Sequence, residues 1–203
     1  SNKTTPKARK VMPPRPSQAD DSPLIQRGPL ITVDQLATVQ ADPDVLKKNK
    51  IVTLDSANKH PVQNAYRMLR TRLMQNMRTN SCRILGVSSI RENEGKTFTA
   101  INLAIGIAAE IGQEAILVDL DLRKPSIHRC FGIESEQVAG LKEYFENEES
   151  DVARLLVCPG IDQLGLLLSA DPLARSSDVL ASDRGRQLFA ELRARLSERT
   201  VIV

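Results

Sequence analysis

The sequence predicts an α/β fold in which helices cover both faces of a doubly wound, mostly parallel sheet. Three observations support this fold class. Short apolar segments of strand character alternate with segments of helical periodicity, a Gly-Lys-Thr turn joins one strand to the next helix, and two aspartates follow the next strand. With 203 residues, of which 41% are hydrophobic, the chain has the length of one globular domain with a tail.

The first 60 residues carry little structural signal. Residues 1–30 are rich in proline, lysine and arginine and have almost no apolar periodicity, so we expect a basic, disordered tail. A solvated linker is the simpler interpretation of this tail, and a weak tether to an acidic partner or to anionic lipid headgroups is the alternative. Residues 31–60 mix weak strand-like and helical pieces and are assigned as a poorly defined linker.

Residues 61–80 predict an amphipathic helix with a basic outer face. Apolar residues recur every three to four positions, and Pro61 suits the first helical turn. No acidic residue occurs in this stretch, so its arginines have no partner within the helix and can dock carboxylates or phosphates from elsewhere. These arginines are Arg67, Arg70, Arg72 and Arg78.

The remaining elements alternate between strand and helix. In order, the sequence predicts a buried strand at 82–89, a helix at 95–112 that Gly112 ends, a buried strand at 114–121, a helix at 138–145, a strand at 164–169, a helix at 185–199 and a last strand that begins at 200. The sequence stops inside this last strand, so we expect a domain that is truncated at its C-terminus.

The strongest local motif is Glu94-Gly95-Lys96-Thr97, placed where the first predicted strand gives way to a helix. Backbone N–H groups at a helix start point at a bound anion, and Gly95 lets the backbone approach it closely. Lys96 supplies a charge for the β- and γ-phosphates, and the Thr97 hydroxyl can ligate Mg²⁺. The pattern therefore predicts a variant Walker motif of a P-loop NTPase. The match is partial, because position 90, where the full motif has its first glycine, is Ile90.

Two carboxylates at the end of the 114–121 strand strengthen the nucleotide hypothesis. The carboxyl ends of strands in an open α/β sheet face the binding crevice, and Asp119 and Asp121 point to the same side if the strand stays regular. Carboxylates at such positions also cap helices, which is the simpler alternative. Arg123 follows two residues later, and this favours a site over a cap.

Together these residues resemble the bacterial tyrosine autokinases (BY-kinases) of capsule and exopolysaccharide synthesis, which are P-loop relatives of the partition ATPases. The resemblance rests on the P-loop end at 94–97, on the Asp-x-Asp-x-Arg run at 119–123, and on the helix with Arg67 and Arg70, which is similar to the family's E-x-x-R-x-x-R oligomerisation helix. Residues 95–104 and 174–182 look like the branch of the family that accompanies exosortase-linked polysaccharide loci.

The resemblance implies a site and its chemistry. Lys96, Asp119 and Asp121 would be catalytic, Thr97 and the two aspartates would hold Mg²⁺, and Arg67 and Arg70 would form the interface of a homo-oligomeric ring. The ATP contacts would come from Asn93, Glu94, Gly95, Lys96, Thr97, Phe98 and Arg123. The family further implies an inner-membrane partner for polysaccharide chain length or export, and a cytoplasmic location, peripheral at the inner membrane.

The chain departs from the family pattern at several positions. Glu92-Asn93-Glu94 stands where the family commonly has Pro-Gly-Glu, so negative charge lies near the expected polyphosphate and should weaken ATP binding. Asn64 replaces the glutamate of the ring helix, and Arg91 stands at the position of the partition ATPases' signature lysine. The family's third motif, an aspartate, is expected after Val203.

Charge and cysteine content exclude several function classes. The net charge is +3, but residues 1–80 hold 14 basic and 6 acidic side chains, whereas residues 81–203 hold 14 basic and 19 acidic ones. The predicted folded body is therefore acidic, and we expect no nucleic-acid-binding surface on it. Three widely spaced cysteines form neither disulfide nor zinc-ligand patterns. The apolar runs fall well short of the roughly 18 residues of a membrane span, and the N-terminal residues are polar, so we expect neither a membrane span nor a signal peptide.

Two functions from different classes agree with these motifs. The first is an ATP-dependent protein-tyrosine kinase that regulates polysaccharide synthesis or export, favoured by the arginine helix and the Asp-x-Asp-x-Arg run. The second is a nucleotide-binding switch of the partition-ATPase type that transfers no phosphate to tyrosine. The altered P-loop favours the switch, as does the presence of only two tyrosines, Tyr66 and Tyr144, outside any tyrosine cluster.

Overall fold

The computed structural model describes residues 28–51 and 61–203. The predicted disordered tail lies almost wholly outside the described residues, as does the second part of the predicted linker. In chain order, the elements are β1 (Ala37–Thr38), α1 (Pro43–Lys48), α2 (Pro61–Thr79), α3 (Lys96–Ala108), β2 (Glu114–Val118), α4 (Ile127–Phe131), α5 (Leu141–Glu146), α6 (Val152–Leu155), β3 (Leu156–Cys158), β4 (Leu164–Leu167), α7 (Ser176–Ala181), α8 (Asp183–Arg195) and β5 (Thr200–Ile202), with short 3-10 turns at Val33–Gln35 and Ser135–Gln137.

A mixed, mostly parallel sheet forms the centre of the fold. Its strand order is β1-β3-β4-β2-β5, and every pair is parallel except β3 with β4. The predicted doubly wound α/β class is confirmed. The antiparallel pair was not predicted, and it follows from chain length: only residues 159–163 connect β3 to β4, too short a link for a crossover between parallel strands.

The strand predicted at 82–89 is wrong in its extent. This segment forms only one isolated parallel bridge, between Ile84 and Ile202. It is held by the N–H of Leu85 donating to Ile202 O and the N–H of Ile202 donating to Arg83 O, both at 2.8 Å. The segment therefore lies along the outer side of β5, and Ile84 is 40% exposed, whereas a buried strand was expected.

Apolar side chains fill both faces of the sheet, as the doubly wound class requires. On β2, Ala115 and Leu117 join one core together with residues of α2 and α3. Ile116 and Val118 point to the opposite face and join a second core that includes residues of α5 and α8. This alternation follows from the two-residue period of a strand, and every residue of β2 is buried.

The described part of the predicted linker packs against the body. Ile31 forms a parallel bridge with Leu196 near the end of α8, and Leu46 and Ile51 are buried in the core next to α4. Asp42 caps α1 by accepting hydrogen bonds from the N–H groups of Asp44 and Val45. Residues 31–51 therefore hold ordered elements in a stretch where the sequence indicated only weak strand-like and helical pieces.

Cys82, Cys130 and Cys158, which all lie in the described residues, are free thiols. Within the two described ranges, no helix combines the length and the apolar character that crossing a membrane would require.

Candidate phosphate-binding site

The turn before α3 has the backbone of an anion-binding loop. Asn93 and Gly95 both adopt the left-handed conformation, with φ of 62° and 87°, and Gly95 is the N-cap residue of α3. Glycine takes this conformation without steric penalty, and asparagine tolerates it better than most residues. No side chain caps the first turn of α3, so its N–H groups face the loop without a protein side-chain acceptor.

Internal bonds of the loop bring the predicted lysine over it. The Lys96 ammonium donates to the Arg91 carbonyl at 3.3 Å, and the N–H of Arg91 donates to the Glu94 carboxylate at 3.2 Å. Ser89 also donates its hydroxyl to the Arg91 carbonyl at 2.9 Å. The Lys96 ammonium therefore lies against the backbone of the loop, and a bound phosphate would replace its weak bond to the Arg91 carbonyl.

Asp119 lies beyond the strand that was predicted to carry it, because β2 ends at Val118. Its side chain is buried, and it accepts three backbone hydrogen bonds: one on Oδ1 from Asp121 at 3.2 Å, and two on Oδ2 from Ser126 and Ile127, both at 3.0 Å. Burial raises the pKa of Asp119 above its ordinary value, against the lowering effect of these three donors. Asp119 therefore ties the 119–127 loop together.

Asp121 is exposed and accepts fewer hydrogen bonds than Asp119. Its Oδ1 accepts one hydrogen bond, from the backbone N–H of Lys124 at 3.0 Å. Both aspartates line a cavity of about 540 Å³ together with Lys96 and Thr97. The four residues that the sequence singled out for catalysis and metal binding therefore meet at one place, with Asp121 as the freer carboxylate.

Glu92 is paired across the mouth of the site. The Lys124 ammonium lies 2.8 Å from Glu92 Oε1, and this hydrogen bond and the lysine's charge lower the pKa of the Glu92 carboxyl. Glu94 turns back onto the loop through its bond from Arg91. The repulsion expected between these carboxylates and a polyphosphate is thus reduced by local partners.

A second cavity, of about 640 Å³, extends from the loop toward α1 and α4. It contains the predicted contacts Asn93, Gly95, Phe98 and Arg123. It also contains residues that the sequence did not indicate, among them Asn49, Ile51, Arg129 and Cys130. The side-chain amide of Asn49 donates to the Cys130 carbonyl at 3.2 Å, which joins the N-terminal segment to this wall.

The donor set fits Mg²⁺ bound with a nucleotide better than a metal held by protein alone. Among the described residues, no group of three or more His, Cys, Asp and Glu side chains is arranged to hold a metal ion. Mg²⁺ usually takes one or two carboxylates and completes its shell with phosphate oxygens and water. Thr97 and Asp121 suit that pattern, and the Thr97 hydroxyl lies 3.1 Å from the Ser126 hydroxyl, which orients it.

The two arginines predicted at an oligomer interface have different environments. Arg67 is exposed on α2. Arg70 instead contacts α3, since it donates to the Gly106 carbonyl at 2.8 Å and lies 3.4 Å from a Glu110 carboxylate oxygen. Helix α2 itself is confirmed at Pro61–Thr79, and its role in assembly stays a prediction.

Sequence comparison finds similarity to bacterial tyrosine-protein kinases. The chain is 36% identical over 70 residues to the tyrosine-protein kinase YwqD of Bacillus subtilis, an alignment that covers 34% of this chain and 29% of YwqD. It is 29% identical over 125 residues to the tyrosine-protein kinase etk of Escherichia coli K12, covering 62% of this chain and 17% of etk. The chain thus spans less than a third of either relative, and no family model matches it.

Solved structures show the same architecture. The kinase domain of the Escherichia coli tyrosine kinase ETK superposes with a TM-score of 0.62 at 25% identity, over 75% of this chain and 57% of that one. The VpsO kinase domain superposes with a TM-score of 0.56 at 25% identity, over 69% and 68% of the two chains. The BceF tyrosine kinase domain, at 20% identity and a TM-score of 0.63, shares the fold over 82% of this chain and 69% of its own.

Proposed function

We propose that this chain, which is similar to bacterial tyrosine-protein kinases, belongs to the tyrosine autokinases of capsule and exopolysaccharide synthesis, binds ATP and transfers its γ-phosphoryl group to a protein tyrosine. One observation carries this proposal: Lys96 and Thr97 at the start of α3 line the same cavity as Asp119 and Asp121. Phosphoryl transfer relies on positioning and on stabilisation of charge, so a small set of such residues is sufficient.

Each residue has a proposed task that agrees with its environment. The backbone of 93–97 and the Lys96 ammonium would bind the phosphates, with Arg123 at the cavity wall as a second cation. Thr97 and Asp121, with Asp119 behind them, would hold Mg²⁺, which offsets phosphate charge when it is bound. Asp121 is the carboxylate with acceptor capacity left for the proton of an incoming tyrosine hydroxyl.

A nucleotide-binding switch without tyrosine phosphorylation is the second candidate. The observation that favours it is the charge of the loop, where Glu92 and Glu94 remain two negative groups beside the phosphate position even though each has a local partner. Such a loop would bind ATP and hydrolyse it slowly. The two candidates differ in their product, which is phosphotyrosine for the kinase and free phosphate for the switch.

The deciding experiment compares the protein with its Lys96→Met variant, with Lys47→Met as a matched control at an exposed lysine of α1. Calorimetry measures ATP binding, and labelled ATP with Mg²⁺ measures transfer to a random Glu-Tyr copolymer. We expect phosphotyrosine in the copolymer with the wild type and the control, and none with Lys96→Met. Release of phosphate without phosphotyrosine would favour the switch, and absence of ATP binding would contradict both functions.

The finer features of the family are also proposals for this chain. We infer a homo-oligomeric ring with Arg67 and Arg70 at its interface, supported by the exposed position of Arg67 on α2. We further infer a place at the cytoplasmic face of the inner membrane beside a polysaccharide chain-length or export protein. The runs at 95–104 and 174–182 support the exosortase-associated branch.

A further inference from the structure

The two tyrosines of this sequence lie in opposite environments. Tyr144 is fully buried in α5, at 0% exposure, and the Arg184 guanidinium carbon lies 3.8 Å from the centre of its ring. Its hydroxyl is enclosed, and burial raises its pKa. A phosphoryl donor cannot reach Tyr144 unless this part of the core opens.

Tyr66 is half-buried on α2 and contacts the helix that begins at the phosphate loop. Its ring meets Phe98 edge-to-face with centroids 5.9 Å apart, and its hydroxyl lies 3.3 Å from the Thr99 hydroxyl. Phe98 in turn lines the larger cavity of the site. An edge-to-face aromatic contact and one hydroxyl–hydroxyl bond hold the Tyr66 side chain, and both are weak.

We propose that Tyr66 is a phosphorylation site of this protein, modified by a second copy of the chain; this inference rests on the kinase function proposed above. Transfer within one copy is disfavoured by geometry. Thr97 and Thr99 differ by about 200° around α3, given 3.6 residues per turn, so the Tyr66 hydroxyl lies on the side of that helix away from the Thr97 side chain.

The surroundings of Tyr66 on α2 suit contact with another copy. Met68 is 60% exposed and Leu69 is 40% exposed on the same helix, and Arg67 is exposed beside them. An apolar surface with a cation can meet a second molecule whose folded body is acidic, since residues 81–203 hold 19 acidic and 14 basic side chains. The second copy would then offer its ATP site to Tyr66.

The reaction itself is a simple substitution at phosphorus. A bond forms between the Tyr66 phenolic oxygen and the γ-phosphorus as the bond from that phosphorus to the β–γ bridging oxygen breaks. The phenolic proton passes to the Asp121 carboxylate of the second copy and then to water, and ADP leaves. The product phosphate on Tyr66 lies one helical turn before Arg70, at the i,i+4 spacing at which side chains meet, so Arg70 can pair with it in exchange for Glu110.

A complementation experiment tests this proposal. The Tyr66→Phe variant keeps the site but lacks the acceptor, and the Lys96→Met variant keeps the acceptor but lacks the site. Each is incubated alone and mixed with the other, with ATP and Mg²⁺, and phosphopeptides are identified by mass spectrometry. Tyr144→Phe is the matched control, and transfer to the Glu-Tyr copolymer is measured in parallel for Tyr66→Phe.

We expect phosphate on Tyr66 of the Lys96→Met chain in the mixture, none on either variant alone at that residue, and wild-type labelling of Tyr66 in Tyr144→Phe. If the copolymer is phosphorylated while Tyr66 remains unmodified in every sample, the inference is overturned and the kinase function stands. Labelling of Tyr66 in the wild type but not in the mixture overturns the role of the second copy. Failure to label either the copolymer or Tyr66 overturns the kinase function as well.

Discussion

Replacing Asp119 and Asp121 separately by asparagine tests whether Asp119 stabilises the site while Asp121 only faces it. Asp119 accepts three backbone hydrogen bonds in the interior, whereas Asp121 accepts one at the surface. Asparagine keeps the shape of the side chain but has only one acceptor oxygen. In Asp119→Asn, that oxygen can serve Ser126 and Ile127, and the amide nitrogen then faces the N–H of Asp121, donor against donor.

The size of the effect follows from these contacts. Loss of one charge-assisted bond costs about 1.5–3 kcal/mol, and conversion of the other two to neutral bonds adds about 1 kcal/mol. The variant also loses the unfavourable burial of the carboxylate, which is the largest cause of the raised pKa of Asp119 and offsets part of that sum. We therefore expect Asp119→Asn to lower the free energy of unfolding by about 2 kcal/mol and Asp121→Asn by less than about 0.5 kcal/mol.

Urea unfolding followed by circular dichroism measures both free energies at neutral pH, and the copolymer assay measures transfer by the folded fraction of each variant. Both substitutions should reduce transfer, but only Asp119→Asn should shift the urea midpoint to a clearly lower concentration. Equal stability of the two variants would refute the assignment of Asp119 as the residue that ties the 119–127 loop. A larger loss of stability in Asp121→Asn would refute it as well.

Three further predictions concern the charges around this site and its helices. Glu92→Gln removes a negative charge beside the proposed phosphate position and releases Lys124 from its ion pair. ATP affinity, measured by calorimetry, should therefore rise about two- to fivefold at low salt and less at high salt. An unchanged affinity would contradict the pairing across the mouth of the site. Burial lowers the pKa of His128, so the unfolded chain takes up a proton at a higher pH than the folded chain does. Below the ordinary pKa of histidine, the wild type should therefore lose stability relative to His128→Gln, by at most about 1.4 kcal/mol per pH unit in urea unfolding. Parallel pH profiles of the two proteins would contradict this prediction. Arg70→Ala should lower the free energy of unfolding by about 1–2 kcal/mol, because the hydrogen bond to the Gly106 carbonyl is lost. Arg67→Ala should leave the free energy of unfolding unchanged and affect only assembly, which sedimentation measures. Equal destabilisation by both substitutions would show that Arg67 has a structural partner too.

Much of the fold was predictable because the signals are local. The apolar run of β2, the periodicity of α2 and α8, and the glycine-lysine-threonine turn at the start of α3 depend on neighbouring residues, and the structure confirms each of these elements. Their ends were less predictable. The strand was expected to reach residue 121 but stops at Val118, because the Asp119 carboxylate accepts hydrogen bonds from the loop that follows.

Short elements were missed for a related reason. β1 has two residues and β3 has three, too few for a period to emerge from the sequence, and they exist because each pairs with a neighbour distant in the chain. The strand expected at 82–89 shows the opposite case: its apolar composition suits a buried strand, but it finds a partner on one side only, at Ile202. Pairing of this kind is a property of the assembled sheet.

By itself, then, the sequence determined that a phosphate-binding turn joins an apolar segment to a helix, and that carboxylates follow the next strand, since these patterns need only a few adjacent residues. Only the tertiary structure decided how those groups are used. It buried Asp119 under three N–H donors, left Asp121 exposed with a single N–H donor, and placed Asn49 in the cavity wall and Tyr66 against Thr99. Each of these outcomes depends on residues far apart in the chain, whose approach is set by how the helices pack on the sheet.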